Sequence, residues 1–292
     1  MPARSSGASA YGWPMADKHH HRPEPLKRTA IAAYRRGWAL VTGAARAEGL
    51  GYAFARQLAA EGMNLVLVDI LGDELALRAE QLRSDFSVEV RTAACDLGQA
   101  APYEAIEAAV SDIDVDVLVC NHMLTPTDTP RILDVPLETQ SRMLDINARA
   151  YMNLVQRFGT QMRDRGRGAI VIVSSGVGLT SGPYNGVYAA NKAYQIVLGE
   201  TLWYELKGTG VDVLVVIGGL MNTQGDAFAK FPRAMVAEPA AVVREVLSVV
   251  GRKHMVIPGM VNRAFVLAQT RLMSRRRTVT AIGRFLEKGL KG

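Results

Sequence analysis

Between residues 38 and 259 the chain alternates short, unbroken apolar runs with longer stretches of helical periodicity, and no other feature restricts the fold as much. The runs are WALVTG (38–43), NLVLVD (64–69), a strand within VEVRTAACDL (88–97), VDVLVCN (115–121), GAIVIVSS (168–175), VDVLVVIGG (211–219) and a short HMVIPG (254–259). Their Val, Leu and Ile residues are consecutive, not interleaved with polar ones, as expected of strands buried on both faces. Helical patterns fill the gaps over 52–62, 72–84, 100–111, 137–162, 186–208 and 238–252. Such alternation predicts an α/β fold: a Rossmann-like, doubly wound parallel sheet of about seven strands with helices on both faces, in a single domain.

The ends differ from this body in charge. Residues 1–36 carry seven Lys or Arg against two acids, and residues 260–292 carry eight against one. The body, 37–259, has nineteen basic and twenty-five acidic residues, so the overall charge of +6 belongs to the ends. A nucleic-acid-binding domain would carry its positive charge on the folded body, so no nucleic-acid partner is expected. The Pro-, Gly-, Ser- and charge-rich start predicts a disordered basic extension over 1–36 without a signal peptide. The tail 260–292 reads as a basic helical extension, with apolar residues at mixed helical spacing from Phe265 to Leu290. It is suited either to weak contact with a membrane surface or to packing on the body or a second subunit. Cys95 and Cys120 lie in no metal-like spacing, and His19, His20 and His21 cannot close a tetrahedral site alone, so no metal is expected. Two unpaired thiols and no long apolar span point to the cytoplasm.

In a doubly wound sheet, ligands gather at the carboxyl ends of the strands. The first strand runs into Thr42, Gly43, Gly49 and Gly51, a G-x5-G-x-G loop that does not fit the general G-x-G-x-x-G dinucleotide pattern. Asp69 ends the second strand, where an acid accepts hydrogen bonds from a ribose 2′-hydroxyl or simply caps a helix. Asp96 and Asn121, at the ends of the third and fourth strands, carry the same ambiguity. The stretch 174–193 is more specific. Of nine tyrosines only Tyr188 is followed four residues later by lysine, Lys192, which puts both on one helix face. An ammonium there should lower the pKa of the phenol and make it a general acid or base nearer neutrality. Ser175, thirteen residues earlier at a strand end, separates this pair from an ordinary surface Tyr–Lys contact.

The Ser-x12-Tyr-x3-Lys spacing after a fifth strand resembles the short-chain dehydrogenase/reductase family, over roughly residues 37–259. Thr42-Gly43 resembles the start of that family's T-G-x3-G-x-G loop, with two extra residues before Gly49. The resemblance implies that 46–48 bulge outward while Gly49 and Gly51 lie under a pyrophosphate. Asp96-Leu97 resembles the family's adenine-contacting acid, Asn147 its helix asparagine, and IGGLMNT (217–223) its P-G-x-V-x-T segment, with Gly219 and Thr223 near the nicotinamide. Two departures stand out: Met123 replaces a glycine after the fourth strand, and Gly218-Gly219 replaces Pro-Gly, which should loosen that turn. His122 reads as a histidine satisfied by nearby backbone and stays outside the catalytic set.

The resemblance implies an NAD(P)-dependent oxidoreductase that moves hydride between a nicotinamide and a small hydrophobic alcohol or ketone. Tyr188 would be its general acid/base, Lys192 would hold the ribose, Ser175 would bind the substrate oxygen, and Asn147 would seat a water linking Lys192 to solvent. Asp69 argues for NAD and Arg46 for NADP, and the carboxylate is the more decisive. Met123, Leu179, Tyr184, Met221 and Phe228 are candidate pocket residues. By analogy a homodimer or homotetramer is expected, paired through the long helices. The rival readings are a dinucleotide-binding or membrane- or partner-binding module without turnover, and a reductase of C=C or imine bonds on the same fold.

Overall fold

The structure, a computed structural model, describes residues 22–26, 29–101, 103–125, 131–221, 223 and 236–290. In chain order its elements are β1 (Trp38–Thr42), α1 (Leu50–Ala60), β2 (Asn64–Asp69), α2 (Gly72–Asp85), β3 (Val90–Ala94), α3 (Glu104–Ala109) and β4 (Val115–Cys120). Then come α4 (Leu137–Leu144), a π turn (Asp145–Arg149), α5 (Ala150–Asp164), β5 (Gly168–Ser175), the short α6 (Val177–Thr180), α7 (Gly186–Glu205) and β6 (Val211–Gly218). The chain closes with α8 (Pro239–Val249), β7 (Met255–Val256), α9 (Met260–Leu267), a second π turn and α10 (Arg275–Leu290).

The strands form one seven-stranded sheet in the order β3-β2-β1-β4-β5-β6-β7, and every pairing is parallel. Residues of a strand alternate between its faces, and here both sets are apolar. Val41, Leu65, Leu67, Val119, Val171 and Leu214 belong to the core layer under α1, α2 and α8. Leu40, Val66, Val68, Leu118, Ile170 and Ile172 belong to the layer under α3, α5 and α7. Burying such a side chain fully contributes about 1.5–3 kcal/mol, which explains why the apolar runs are continuous. Chain order reverses between β2 and β4 around β1, and the crevice at that point opens at the carboxyl ends of the strands.

Two expectations need correction. Residues 30–34 are not disordered: they form a 3₁₀ turn with Ile31 fully buried, and the Tyr34 hydroxyl donates to the Gly168 carbonyl at 2.8 Å. Nearby, the Glu61 carboxylate accepts the Leu26 amide at 2.6 Å. Apolar residues at 26, 31 and 34 outweigh the basic composition around them. The helix read over 137–162 is interrupted by the π turn at Asp145–Arg149, a wider i→i+5 turn that periodicity does not reveal.

Candidate active site

The floor of the crevice is the loop after β1. Gly43 has φ +69°, a left-handed conformation that favours glycine, and its carbonyl lies against Gly51 so closely that a Cβ there would stand 2.1 Å from the oxygen. The Gly49 amide donates to the Arg46 carbonyl at 2.9 Å, closing a turn in which Arg46 and Glu48 are exposed. This turn absorbs the two extra residues and leaves Gly49 as the N-cap of α1. Asn121 ties the loop to β4 by donating from Nδ2 to the Thr42 carbonyl at 3.1 Å and from its amide to Thr42 Oγ1 at 2.9 Å. Asp69 Oδ2 accepts the Ala45 amide at 3.0 Å, and Oδ1 accepts the Leu71 amide at 3.2 Å. The helix α1 begins without a side-chain cap, so the backbone N–H groups of its first turn suit an anion. A pyrophosphate fits this uncapped start and side-chain-free cradle, and a ribose fits beside Asp69.

The second half of the site lies where β5 ends and α7 begins. Ser175 is the last residue of β5, and Tyr188 lies in the first turn of α7. Burial pushes the Tyr188 hydroxyl up to about 12, while its hydrogen bond with Ser175 pulls the other way. The lowering expected from Lys192 is therefore not found. The Lys192 ammonium lies 5.5 Å from the centre of the tyrosine ring and donates instead to the Val173 carbonyl at 3.0 Å and to Gln195 Oε1 at 3.0 Å. Lys192 is itself pushed down to about 7 by burial.

Asn147, in the π turn, is fully buried: its Oδ1 accepts the Leu124 amide and its Nδ2 donates to the Leu124 carbonyl, both at 2.7 Å. Its own carbonyl accepts Gln195 Nε2 at 2.7 Å. Gln195 thus bridges Lys192 and Asn147 directly through its side-chain amide. Three residues beyond the lysine, Gln195 carried no signal in the sequence.

Asp96 is engaged on both oxygens, by the Gly98 amide at 2.9 Å and by Arg142 Nη2 at 2.7 Å, and the guanidinium helps hold its carboxyl below the usual range. Leu97 beside it is buried. Buried His122 stacks on Tyr151, with Nδ1 2.8 Å from Thr42 Oγ1 and Nε2 3.0 Å from the Ile146 carbonyl. Because a carbonyl only accepts, Nε2 carries the proton and Nδ1 takes the threonine hydroxyl's. Desolvation pushes His122 down to about 3, so it is neutral and structural, as its surroundings suggested.

The pocket candidates separate. Met123 is 43 % exposed, with its sulfur 3.8 Å from the Tyr188 hydroxyl. Tyr184 stands at the mouth with φ +64°, and its hydroxyl bonds Glu287 of α10. Leu179, half-buried, packs against Ile196, Val215 and Ile217. Met221 packs against the core and lines a cavity of about 190 Å³ with Gly219, Val242 and Asn262. Phe228 lies outside the described residues, and Thr223 is half-buried, its amide bonded to the Met221 carbonyl at 2.8 Å. The Gly218-Gly219 turn packs against Asn262. Asn262 of α9 donates to the Pro258 carbonyl at 3.2 Å, and its side chain lies where a Cβ on Gly219 would meet it at 2.6 Å. Between Ser175 and Tyr188, Ser181 also has a positive φ, and among the described residues Ser181 Oγ and Asn185 Oδ1 are buried without a partner. Strain and unsatisfied polar atoms of this kind cluster at ligand sites.

Comparison with known proteins gives one family model, short chain dehydrogenase, matching residues 37–231. A 7β-hydroxysteroid dehydrogenase of Collinsella aerofaciens is 30% identical over 236 residues, covering 77% of this chain and 87% of that protein. A very-long-chain 3-oxoacyl-CoA reductase of Meyerozyma guilliermondii is 31% identical over 240 residues, covering 78% of this chain and 69% of that protein. A solved structure of a 7β-hydroxysteroid dehydrogenase superposes with a TM-score of 0.81 at 27% identity, covering 87% of this chain and 99% of the other.

Proposed function

Since the chain belongs to the short chain dehydrogenase family and is an NAD(P)-dependent oxidoreductase of alcohols and ketones, we propose that Tyr188 is its general acid/base and that its substrate is a bulky, apolar secondary alcohol or ketone of the steroid class. The observation that carries this reading is the meeting of Ser175 and Tyr188 beside the half-open face at Met123. The name of the Collinsella relative supports the steroid skeleton.

The nicotinamide cofactor, when bound, supplies or accepts the hydride at the substrate carbon. Thr42, Gly43, Arg46, Gly49, Gly51, Asp69, Asp96, Leu97 and Asn121 would hold its adenosine half, and Lys192, Gly219 and Thr223 its nicotinamide half. In ketone reduction Tyr188 gives its hydroxyl proton to the carbonyl oxygen, and in oxidation it takes that proton back. Ser175 donates a hydrogen bond to the same oxygen, orienting it and stabilising the charge that develops there. A positive Lys192 stabilises the phenolate left on Tyr188, and Asn147 holds the loop at Leu124 in place.

Asp69 favours NAD, because a 2′-phosphate beside a carboxylate costs about 1–3 kcal/mol of like-charge repulsion, a factor of roughly 5–150. The test is turnover of hydroxysteroids with NAD⁺ and with NADP⁺, on wild type and Asp69→Ala. Wild type should prefer NAD⁺, and the variant should lose most of that preference, with some weakening of both nucleotides because Ala45 loses its acceptor. A wild type that prefers NADP⁺, with a ratio unmoved in the variant, overturns the cofactor assignment. No hydroxysteroid turnover with either cofactor overturns the substrate class.

Two exposed apolar regions support readings of assembly and of membrane contact. Leu137, Leu144, Met152, Val197 and Tyr204 are exposed on α4, α5 and α7, which suits pairing of this face into a dimer or tetramer. Met260, Phe265 and Leu272 are exposed on the C-terminal segment next to Arg271 and Arg275–Arg277, which suits weak contact with an anionic lipid surface. No helix among the described residues is long and apolar enough to cross a membrane. The unpaired Cys95 and Cys120 fit the reducing cytoplasm. Light scattering should give a dimeric or tetrameric mass, and a monomer excludes the pairing. Flotation with phosphatidylserine vesicles should carry the protein and weaken in Leu272→Glu; no flotation excludes the lipid contact.

A further inference from the structure

We propose that Gln195 is a positioning residue of this site, its side-chain amide clamping the Lys192 ammonium to the carbonyl of Asn147.

Lys192 and Gln195 stand one turn apart on α7, on the same helix face, and are 2% and 0% exposed. A charge at that depth needs acceptors. Among the described residues only dipoles supply them, the Val173 carbonyl and Gln195 Oε1, each at 3.0 Å. Burial is the one cause that moves Lys192 from its ordinary range, and no carboxylate offsets it. The amide orientation follows from chemistry. Flipped, its NH₂ would face an ammonium and its oxygen a carbonyl, two repulsive contacts in place of two hydrogen bonds. In the orientation found, the negative end of the amide dipole faces the lysine, and the positive end is held at 2.7 Å by the Asn147 carbonyl.

The Asn147 carbonyl can act as that anchor because the π turn departs from the regular α-helical ladder. The Asn147 side chain is in turn fixed by both of its bonds to Leu124. Lys192 is therefore held through a chain of neutral groups running from α7 to the β4–α4 connection. The titratable groups around it are Tyr188 on its own helix, His122 after β4 and Tyr151 on α5. His122 is neutral across the working range, and burial holds both phenols up. None of them presents a negative charge to the ammonium near neutral pH.

A glutamine that only filled space could be exchanged for leucine or methionine without moving the lysine's titration. The test follows Lys192 directly, in protein labelled with ¹³C-lysine and free of cofactor, using the side-chain resonance that disappears in Lys192→Met. In Gln195→Leu the midpoint should fall by about one pH unit, because the charged form loses an acceptor. In Gln195→Glu it should rise by about one unit or more, because a carboxylate now faces the ammonium. Gln195→Met serves where the leucine variant does not unfold cooperatively. A midpoint that stays at the wild-type value in the apolar variant, or in Gln195→Glu, overturns the proposal. The inference rests on the catalytic reading for its significance, but the titration needs no turnover, so the two fail separately. If both hold, the alkaline limb of ketone reduction should move with the NMR midpoint in each variant while KM for the ketone changes little.

Discussion

Replacing Tyr188 by phenylalanine should lower ketone reduction by about 10²–10⁴-fold, the range for loss of a positioned general acid, while nucleotide binding and folding persist. Among the described residues the hydroxyl bonds only Ser175 and, at 3.8 Å, the Met123 sulfur. Its removal leaves no strong internal bond unmade, and the ring keeps its place beside Lys192. The phenol is held up to about 12 by burial, so at neutral pH it is protonated and able to donate in reduction. Oxidation needs the phenolate and should rise with pH. Steady-state rates in both directions, with NADH titration by fluorescence, read these effects separately. Turnover within tenfold of wild type would remove Tyr188 from the chemistry. The expected result would also exclude a nucleotide-binding module without turnover, since such a protein has no rate to lose.

The largest expected effect on the fold and the site together is that of Gly51→Ala. A methyl at this position would stand 2.1 Å from the Gly43 carbonyl oxygen and 2.7 Å from its carbon, both of them backbone. A flexible side chain can rotate away from an intruding methyl; backbone cannot. Either the loop after β1 shifts or the first turn of α1 unwinds. Overpacking of this kind costs about 3 kcal/mol, or roughly 6–12 °C in Tm for a domain of this size. Because the displaced atoms form the cradle described above, NADH affinity should fall by about 100-fold or more, equal to about 2.7 kcal/mol. Thermal unfolding and nucleotide titration check the two effects. A variant with wild-type Tm and affinity would mean that the glycine loop is not tightly packed and that its backbone does not approach the cofactor.

Much of this molecule is legible along the chain, for reasons that differ between its parts. Five of the seven strands, β1, β2, β4, β5 and β6, were readable because each is an apolar run long enough to be buried on both faces, and burial writes itself into consecutive residues. Tyr188 and Lys192 were readable because a helix converts a spacing of four into shared direction. The altered loop could be traced through its glycines, since Gly49 and Gly51 hold positions where a side chain has no room. Residues 30–34 were misread because composition averages over a segment, while three well-placed apolar side chains are enough to dock it.

What the sequence determined by itself is therefore the sheet, its helical cover and the line of Ser175, Tyr188 and Lys192, all set by periodicity or by short, fixed spacings. Only the tertiary structure decided the electrostatic state of that line. Gln195 reaches Asn147 across 48 positions, Arg142 reaches Asp96 across 46, and Asn262 reaches the β6 turn from a helix beyond β7. Contacts of this range follow from which elements the sheet brings side by side. Burial, which holds the tyrosine up and the lysine down, comes from the same packing. A pKa depends on what surrounds a group in space, and that environment is assembled from chain segments that carry no local mark of it.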